Sequence, residues 1–281
     1  MTLITKPEFI SLLRSTFLRS INENREQYYI GMGNPNSDIL IVGKEKALNS
    51  DDEKYTQIIQ HESNLNIDHW ISIVDSYNHL SNIFDSILMN RTFPLEGFNP
   101  FCPMLFSQTA KIVQSKPGHT YWKIQKLINS GRIDDFSSPK NNVFNYCFIT
   151  EINHMPALRN SGFNRVNNSH RNRELFISNN PFFHSFKVVI VHVGVNSKKY
   201  IGSRYSETRF LSLQKMFNSE LINNPQTIQL DVNQAGRAIE ADLYFNNKKT
   251  KLVVVCNQLS GSAGWTNNAL LNFTSQWQNL I

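Results

Sequence analysis

Polar side chains suited to binding or activating a small molecule follow three apolar runs of this 281-residue chain, each where the run ends. They are Lys44, Glu45, Glu151, Asn153, His154, Asn257 and Ser260. Carboxylates accept protons and hydrogen bonds, whereas amides, hydroxyls and ammonium groups donate hydrogen bonds. Such a set suits the binding of a polar ring and the activation of water. The sequence therefore predicts a binding or catalytic site assembled from distant segments.

Four apolar runs predict the strands that would bring these residues together. The runs are 39–42, 145–150, 186–193 and 251–256. They are short and rich in β-branched or aromatic residues, which is typical of parallel strands buried on both faces. Gly43 then allows a turn that is closed to residues with a Cβ atom. Because parallel strands end at one edge of a sheet, we expect the polar residues to converge there.

Helical spacing of apolar residues separates these runs. It predicts an N-terminal helix over 7–21 and further helical stretches at 71–88, 121–128, 173–186 and 210–217. For the stretch at 173–186, an interruption at Asn179-Asn180-Pro181 is the alternative. A hairpin within 238–251, turning at Asn246-Asn247, is also predicted. The alternation predicts a three-layer α/β/α sandwich with a central, mainly parallel, four-stranded sheet. We expect one domain over 1–281, with an N-terminal helical segment at 1–37 and a helical and loop insertion at 46–140.

Composition limits the classes of protein to which this chain can belong. Its 40% hydrophobic and 18% charged residues are typical of a soluble globular protein, and no apolar stretch approaches the ~20 residues of a membrane span. The N-terminus lacks the basic-then-apolar order of a signal peptide, which predicts a cytoplasmic location. Cys102, Cys147 and Cys256 are widely spaced and predict buried thiols, without a disulfide framework or metal site. The net charge of +6 permits a polyanionic partner.

The three polar endings resemble the motifs of the uracil-DNA glycosylase superfamily. Gly43-Lys44-Glu45 is similar to the first motif, which follows a buried strand and begins with glycine and a polar or acidic residue. Residues 148–156 look like the strand and Pro-containing loop that read the base. Residues 257–261, Asn-Gln-Leu-Ser-Gly, resemble the last motif, in which His-Pro-Ser precedes small residues. The resemblance covers residues 38–265, with 46–140 largely unmatched.

The resemblance implies a DNA glycosylase-like protein that needs no metal or other cofactor. Three of its positions depart from the family pattern. Glu45, or Lys44 if the alignment slips by one residue, stands where the family has its catalytic aspartate. Glu151 matches the base-reading asparagine, with Asn153 as a second candidate. Asn257 matches the histidine that supports charge on the departing base, and the cysteines that bind an iron–sulfur cluster in some branches are missing.

The chemistry of these positions predicts excision of a base other than uracil. Glycosidic cleavage builds positive charge on the sugar, so Glu45 is expected to stabilise it and to orient the attacking water. Asn257 or Ser260 is expected to donate a hydrogen bond to the departing base. An ionised Glu151 only accepts hydrogen bonds, which suits guanine-like or cytosine-like edges and repels the carbonyls of uracil. The other expected base-binding positions are Gly43, Lys44, Asn153 and His154.

A basic segment and a glycine-rich loop supply the expected contacts to DNA. Residues 159–173 hold four arginines among polar residues, a composition that suits phosphate binding and equally a solvated loop. The expected DNA-binding residues are Arg165, Arg171, Arg173, Gly261, Ser262 and Trp265. Trp265 offers an aromatic surface to an extruded base, although core packing is the alternative. His192 alternates with valines and is interpreted as a core histidine.

Two other functions remain open from the sequence. A non-catalytic nucleic-acid or nucleotide-binding protein with the same fold is favoured by Asn257 and opposed by Glu45. A hydrolase of a small nucleoside would use the same pocket without DNA. Salt-dependent DNA binding separates the last possibility from the others, because phosphate contacts release counterions. The sequence carries no signal for the oligomeric state.

Overall fold

The computed structural model of this chain describes residues 6–20, 28–44, 47–48, 63–71, 73–74, 100, 144, 146–153, 157–158, 169–193, 197–217, 220–259 and 264–280. Most of the predicted insertion at 46–140 lies outside these residues, as does the helix predicted at 121–128. The main sheet and the helices that pack on it lie within them. The carboxyl ends of the predicted parallel strands, where the site is expected, lie within the described residues.

Helices cover the sheet and largely follow the predicted pattern. They are α1 (Pro7–Ser20), α2 (Ser169–Ser178), α3 (Pro181–His184), α4 (Ser197–Ile201), α5 (Glu207–Phe217) and α6 (Asn267–Thr274), and residues 63–71 are also helical. α1 confirms the predicted N-terminal helix and buries Phe9, Leu12 and Leu13 at helical spacing. The stretch at 173–186 divides into α2 and α3, because Pro181 begins α3 and Asn180 before it is extended. Within the described ranges, no helix has the length and apolar character needed to cross a membrane.

The strands include all four that the apolar runs predict. They are β1 (Met32–Gly33), β2 (Ile39–Gly43), β3 (Ala47–Leu48), β4 (Phe148–Glu151), β5 (Ala157–Leu158), β6 (Val188–Val191), β7 (Gln226–Val232), β8 (Ala238–Phe245) and β9 (Leu252–Cys256). The main sheet has the order β1-β4-β2-β6-β9-β8-β7, and β3 pairs with β5 separately. The predicted strands β4, β2, β6 and β9 are adjacent and parallel. The α/β class is confirmed.

The predicted number of four strands is wrong, because antiparallel strands extend the sheet at both ends. β1 pairs with β4 at one end, and β8 and β7 continue the sheet beyond β9 at the other. The predicted turn at Asn246-Asn247 connects β8 to β9, so β9 itself is the second arm of that hairpin. β7 alternates apolar and polar residues and is half-exposed, so it lacks the continuous apolar run of the parallel strands. β1 is only two residues long.

Side chains of the parallel strands alternate between two faces of the sheet, which we call the first and second faces. The first face carries Val42 and Val191 and packs against α1, α3 and α5. The second face carries Ile41 and Ile190 and packs against α6. Cys147 and Cys256 are buried free thiols, as predicted, whereas Cys102 lies outside the described residues. Because the alternation has a period of two, a residue's number at a strand end indicates the face toward which it points.

A buried lysine ties two helices to the amino end of β9. Lys251 Nζ donates to the backbone oxygens of His184 at 2.7 Å and Phe217 at 2.8 Å, which are the last residues of α3 and α5. Carbonyls at a helix C-terminus have no partner within the helix. A cation there also interacts favourably with the partial negative charge of the helix C-terminus. Burial lowers the pKa of Lys251 to about 8.

We expect Lys251→Met to lower the free energy of unfolding by about 2 kcal/mol, because two buried carbonyls lose their donor. The control Lys248→Met lies in the exposed turn before β9 and should change it by less than about 0.5 kcal/mol. Urea unfolding followed by circular dichroism measures both variants. Equal effects would show that the Lys251 contacts contribute nothing to stability.

Candidate functional site

The order of the parallel strands reverses at β2. The chain passes from β2 to β4 on one side, and then returns across β2 to β6 and continues outward to β9. Open α/β sheets bind their ligands outside the carboxyl ends of the strands, at the point where the strand order reverses. The residues at this point are Gly43, which ends β2, Lys44 after it and His192 after β6. Glu151 ends the neighbouring strand β4.

Gly43 and Glu151 are paired across β2 and β4, and the glycine provides the space that the glutamate fills. A Cβ atom added to Gly43 would collide with the carboxylate of Glu151. The pairing continues past the strand ends, since Ile152 N donates to Gly43 O at 2.9 Å and Asn153 N donates to Lys44 O at 2.9 Å. The Glu151 carboxylate is therefore held over the carboxyl end of the central strand.

His192 lies on the other side of β2, directly after the last residue of β6. Its backbone N donates to Val42 O at 3.0 Å, and its Nδ1 accepts from the backbone N of Leu259 at 3.4 Å. An imidazole that accepts at Nδ1 carries its proton on Nε2. Burial lowers the pKa of His192 to about 4, so the ring is a neutral Nε2–H donor at pH 7. His192 thus lies one residue beyond β6, whereas the apolar run at 186–193 predicts it inside the strand.

Asn257 follows β9 and is exposed in a cavity of about 220 Å³. The other residues that line this cavity are Arg204, Arg209, Ala238, Glu240, Asp242, Val255 and Cys256. The carboxylate of Asp242 is buried between Arg204, at 2.7 Å, and Arg209, at 3.3 Å. Arg204 also pairs with Glu240 at 2.7 Å. The four charges balance within the cavity wall, so the ion pairs hold the α4–α5 connection against β8.

Glu151 and Asn257 lie at the same edge but point to opposite faces of the sheet. Ile149 belongs to the second-face core, so the alternation directs Glu151 to the second face. Val255 belongs to the first-face core, so the same rule directs Asn257 to the first face. Glu151 is not among the residues that line the Asn257 cavity. The predicted convergence of these two side chains on one ligand is therefore not what the sheet produces.

The remaining predicted base-binding residues are placed only in part. Lys44 is half-buried after β2, and Asn153 is buried after β4. Their backbones are bonded to each other, as described above. Glu45, His154, Arg165, Ser260, Gly261 and Ser262 lie outside the described residues. Among the residues that the structure describes, no group of three or more His, Cys, Asp or Glu is placed to hold a metal ion.

Arg173 lies in the protein interior, which is not the position expected of a DNA contact. Its side chain is 0% exposed. Nε donates to Glu151 O at 2.9 Å, and Nη2 donates to Thr150 Oγ1 and to Ile30 O. The guanidinium also lies 4.7 Å from the ring centre of Phe176. Burial lowers the pKa of Arg173 to about 10. Arg173 therefore fixes the carboxyl end of β4, where Glu151 is located.

Trp265 is also interior, whereas Arg171 is on the surface. Trp265 is 3% exposed, stacks on Phe273 at 5.8 Å and donates from Nε1 to Gln258 O at 3.2 Å. It belongs to the second-face core, so its ring is not available to an extruded base. Arg171 is exposed in α2, two residues before Arg173. Of the described residues predicted to contact DNA, Arg171 is the one with a suitable location.

Comparison of the chain with protein-family models, curated proteins and solved structures finds no match. The resemblance to the uracil-DNA glycosylase superfamily therefore stays a prediction based on short motifs. The geometry of the carboxyl edge stands independently of that resemblance. It places a carboxylate and a neutral imidazole on either side of the end of a central strand.

We expect Arg173→Met to lower the free energy of unfolding by about 3 kcal/mol, because buried carbonyls lose a charged donor. The matched control Arg171→Met should change it by less than about 0.5 kcal/mol. Urea unfolding measures the two variants. A fully stable Arg173→Met protein would contradict the structural role of Arg173.

His192 should make stability depend on pH. Its pKa in the folded protein is below the ordinary value of 6.5, so the unfolded state binds more protons between pH 6.5 and pH 4, and stability falls as pH decreases through that range. His192→Gln should remove about 2 kcal/mol of the loss between pH 7 and pH 5. Urea unfolding at both values tests this. The same loss in the variant and the wild type would show that His192 is not buried in its neutral form.

Proposed function

We propose that this chain is a DNA glycosylase-like protein that hydrolyses the N-glycosidic bond of an extruded base other than unmodified uracil. The base binds at the carboxyl edge of the parallel sheet, outside the ends of β4, β2 and β6. This proposal retains the three-layer α/β/α arrangement, which is supported by helices on both faces of the sheet. It requires DNA as the partner and no cofactor.

The position of the Glu151 carboxylate over Gly43 is the observation that supports this proposal most. It places a hydrogen-bond acceptor at the end of the central strand, where the strand order reverses. A carboxylate at this point recognises the N–H groups of a base edge. Arg173 and the pairing of β4 with β2 restrain the backbone of Glu151.

Glu45 would supply the catalytic carboxylate in this proposal. It follows Lys44 directly in the sequence and lies outside the described residues. A carboxylate there would stabilise the positive charge that develops on the sugar and orient the attacking water. Exposed Arg171, together with the net charge of +6, would favour the approach of the DNA backbone.

A non-catalytic nucleic-acid-binding protein with the same fold is the second candidate, and the placement of Asn257 favours it. Asn257 would have to donate to the departing base, but it opens into the cavity on the first face. Loss of that donor would slow base departure without preventing binding at Glu151. The two candidates therefore differ in base release and agree in DNA binding.

Mass spectrometry of bases released from natural and modified DNAs tests the catalytic proposal. The wild-type protein should release a base other than uracil, and Glu45→Gln should reduce the rate by about 100-fold or more. Glu240→Gln provides a matched control, because Glu240 is a partly exposed carboxylate that faces the first-face cavity. It should leave the rate unchanged.

Base release and the salt dependence of DNA binding together distinguish the candidate functions. Release of uracil as the preferred base would contradict the predicted specificity. No release from any DNA, with binding that weakens steeply as salt rises, would support the non-catalytic candidate. Binding of nucleosides without any salt-dependent binding of DNA would contradict both candidates and favour an enzyme that acts on small nucleosides.

A further inference from the structure

Glu151 and His192 flank the end of β2 on the same face of the sheet. Glu151 pairs with Gly43 from β4, and His192 follows Val191, which pairs with Val42 from β6. Ile149, Ile41 and Ile190 are all second-face residues, so the alternation directs positions 151, 43 and 192 to that face. Gly43 lies between the other two and has no side chain to separate them.

Two independent contacts agree with this assignment. The Glu151 carboxylate occupies the space beside the Gly43 Cα atom, so it leans toward β2. The imidazole of His192 bonds to the backbone of Leu259, which is itself part of the second-face core. Adjacent strands are separated by about 4.8 Å. The carboxylate over β2 and the imidazole after β6 therefore lie on neighbouring strands of the same face.

The pair presents a fixed pattern of hydrogen-bonding groups. An ionised carboxylate accepts two parallel N–H bonds, and a neutral imidazole with its proton on Nε2 donates one. A complementary ligand edge has two N–H groups followed by a carbonyl. Guanine presents this order in its 2-amino group, its N1–H and its O6.

We propose that Glu151 and His192 form a recognition site for the 6-oxopurine edge of guanine. Glu151 accepts from N1–H and the 2-amino group, and His192 Nε2–H donates to O6. This inference rests on the proposed function, because it names the base that the same site takes. It also replaces Asn257 with His192 as the donor that faces the base.

Other bases match this pattern less completely. Adenine and cytosine each present one amino group beside a ring nitrogen, so they form two of the three bonds. Hypoxanthine lacks the 2-amino group and also forms two. Uracil has one N–H between two carbonyls, and the second carbonyl faces the carboxylate. The expected order of affinity is therefore guanine first, the two-bond bases next and uracil last.

Titration of the full-length protein with nucleosides, followed by NMR, tests this inference without requiring catalysis. Deoxyguanosine should bind about tenfold more tightly than deoxyadenosine, deoxycytidine or deoxyinosine. Methylation at N1 removes one N–H and places a methyl group against Glu151, so 1-methyldeoxyguanosine should bind at least as weakly as these three. Equal affinities for deoxyguanosine and its 1-methyl derivative would overturn the inference.

Matched variants assign the contacts to the two residues. Glu151→Gln and His192→Gln should each weaken deoxyguanosine binding about tenfold or more. The corresponding controls Glu240→Gln, at the first-face cavity, and His184→Gln, at the amino end of the sheet, should not change it. Gly43→Ala should also weaken binding, because its Cβ displaces the Glu151 carboxylate. If the controls weaken binding as much as the site variants, the site is elsewhere.

Failure of this inference is distinguishable from failure of the proposed function. Release of another base from DNA, without preference for deoxyguanosine, would overturn the guanine assignment and leave the glycosylase proposal intact. Preferential deoxyguanosine binding without base release would support the recognition site and contradict the catalytic proposal. The affinities of the wild-type protein for the nucleosides test the guanine assignment even if a variant at a buried residue does not fold.

Discussion

Parallel hydrogen bonding of β2 to β4 on one side and to β6 on the other is the constraint on which the candidate site depends. All five residues of β2 are buried, so its apolar side chains fix the register on both faces. A shift by one residue would exchange its side chains between the two cores and disrupt the packing on both faces. The same register places the carboxyl ends of the three strands side by side. The position of the site is therefore a consequence of core packing.

The alternation of side chains divides the polar residues at this edge into two separate groups. On the first face, the charge of Asp242 is neutralised by Arg204 and Arg209. These ion pairs link β8 to α5 and to the loop between α4 and α5. On the second face, Glu151 and His192 border a glycine. The first group balances its own charges, whereas the second places a carboxylate and a neutral imidazole on either side of Gly43. We expect the ligand on the second face, because an acceptor and a donor lie on neighbouring strands there.

The parallel strands could be predicted from the sequence because strands buried on both faces give unbroken apolar runs. The antiparallel additions gave weaker signals. β7 alternates polar and apolar residues, and β1 is too short to show a pattern. The edge residues Gly43, Lys44 and Glu151 were also predictable, because a polar residue that ends such a run must lie at the sheet edge. Their facing direction was not, since it requires the exact strand end.

Two residues show why the site could be predicted only in part. Arg173 has the composition signal of a basic loop, but its partners are backbone oxygens from β4 and from Ile30, which no sequence pattern reveals. His192 looks like part of an apolar run because β6 ends at Val191, two residues before the last valine of the run, Val193. The sequence feature that could have identified His192 is its position as a polar residue at the end of an apolar run, as Glu151 is at the end of β4. In both cases the location of the side chain depends on hydrogen-bond partners from distant segments of the chain.

A crystal structure of the protein soaked with deoxyguanosine is the most direct measurement of the central claim. Density for the base over Gly43, between Glu151 and His192, is the result that we predict. Density for the base in the cavity formed by Arg204, Asp242 and Asn257 would contradict it, because the ligand would then occupy the opposite face of the sheet.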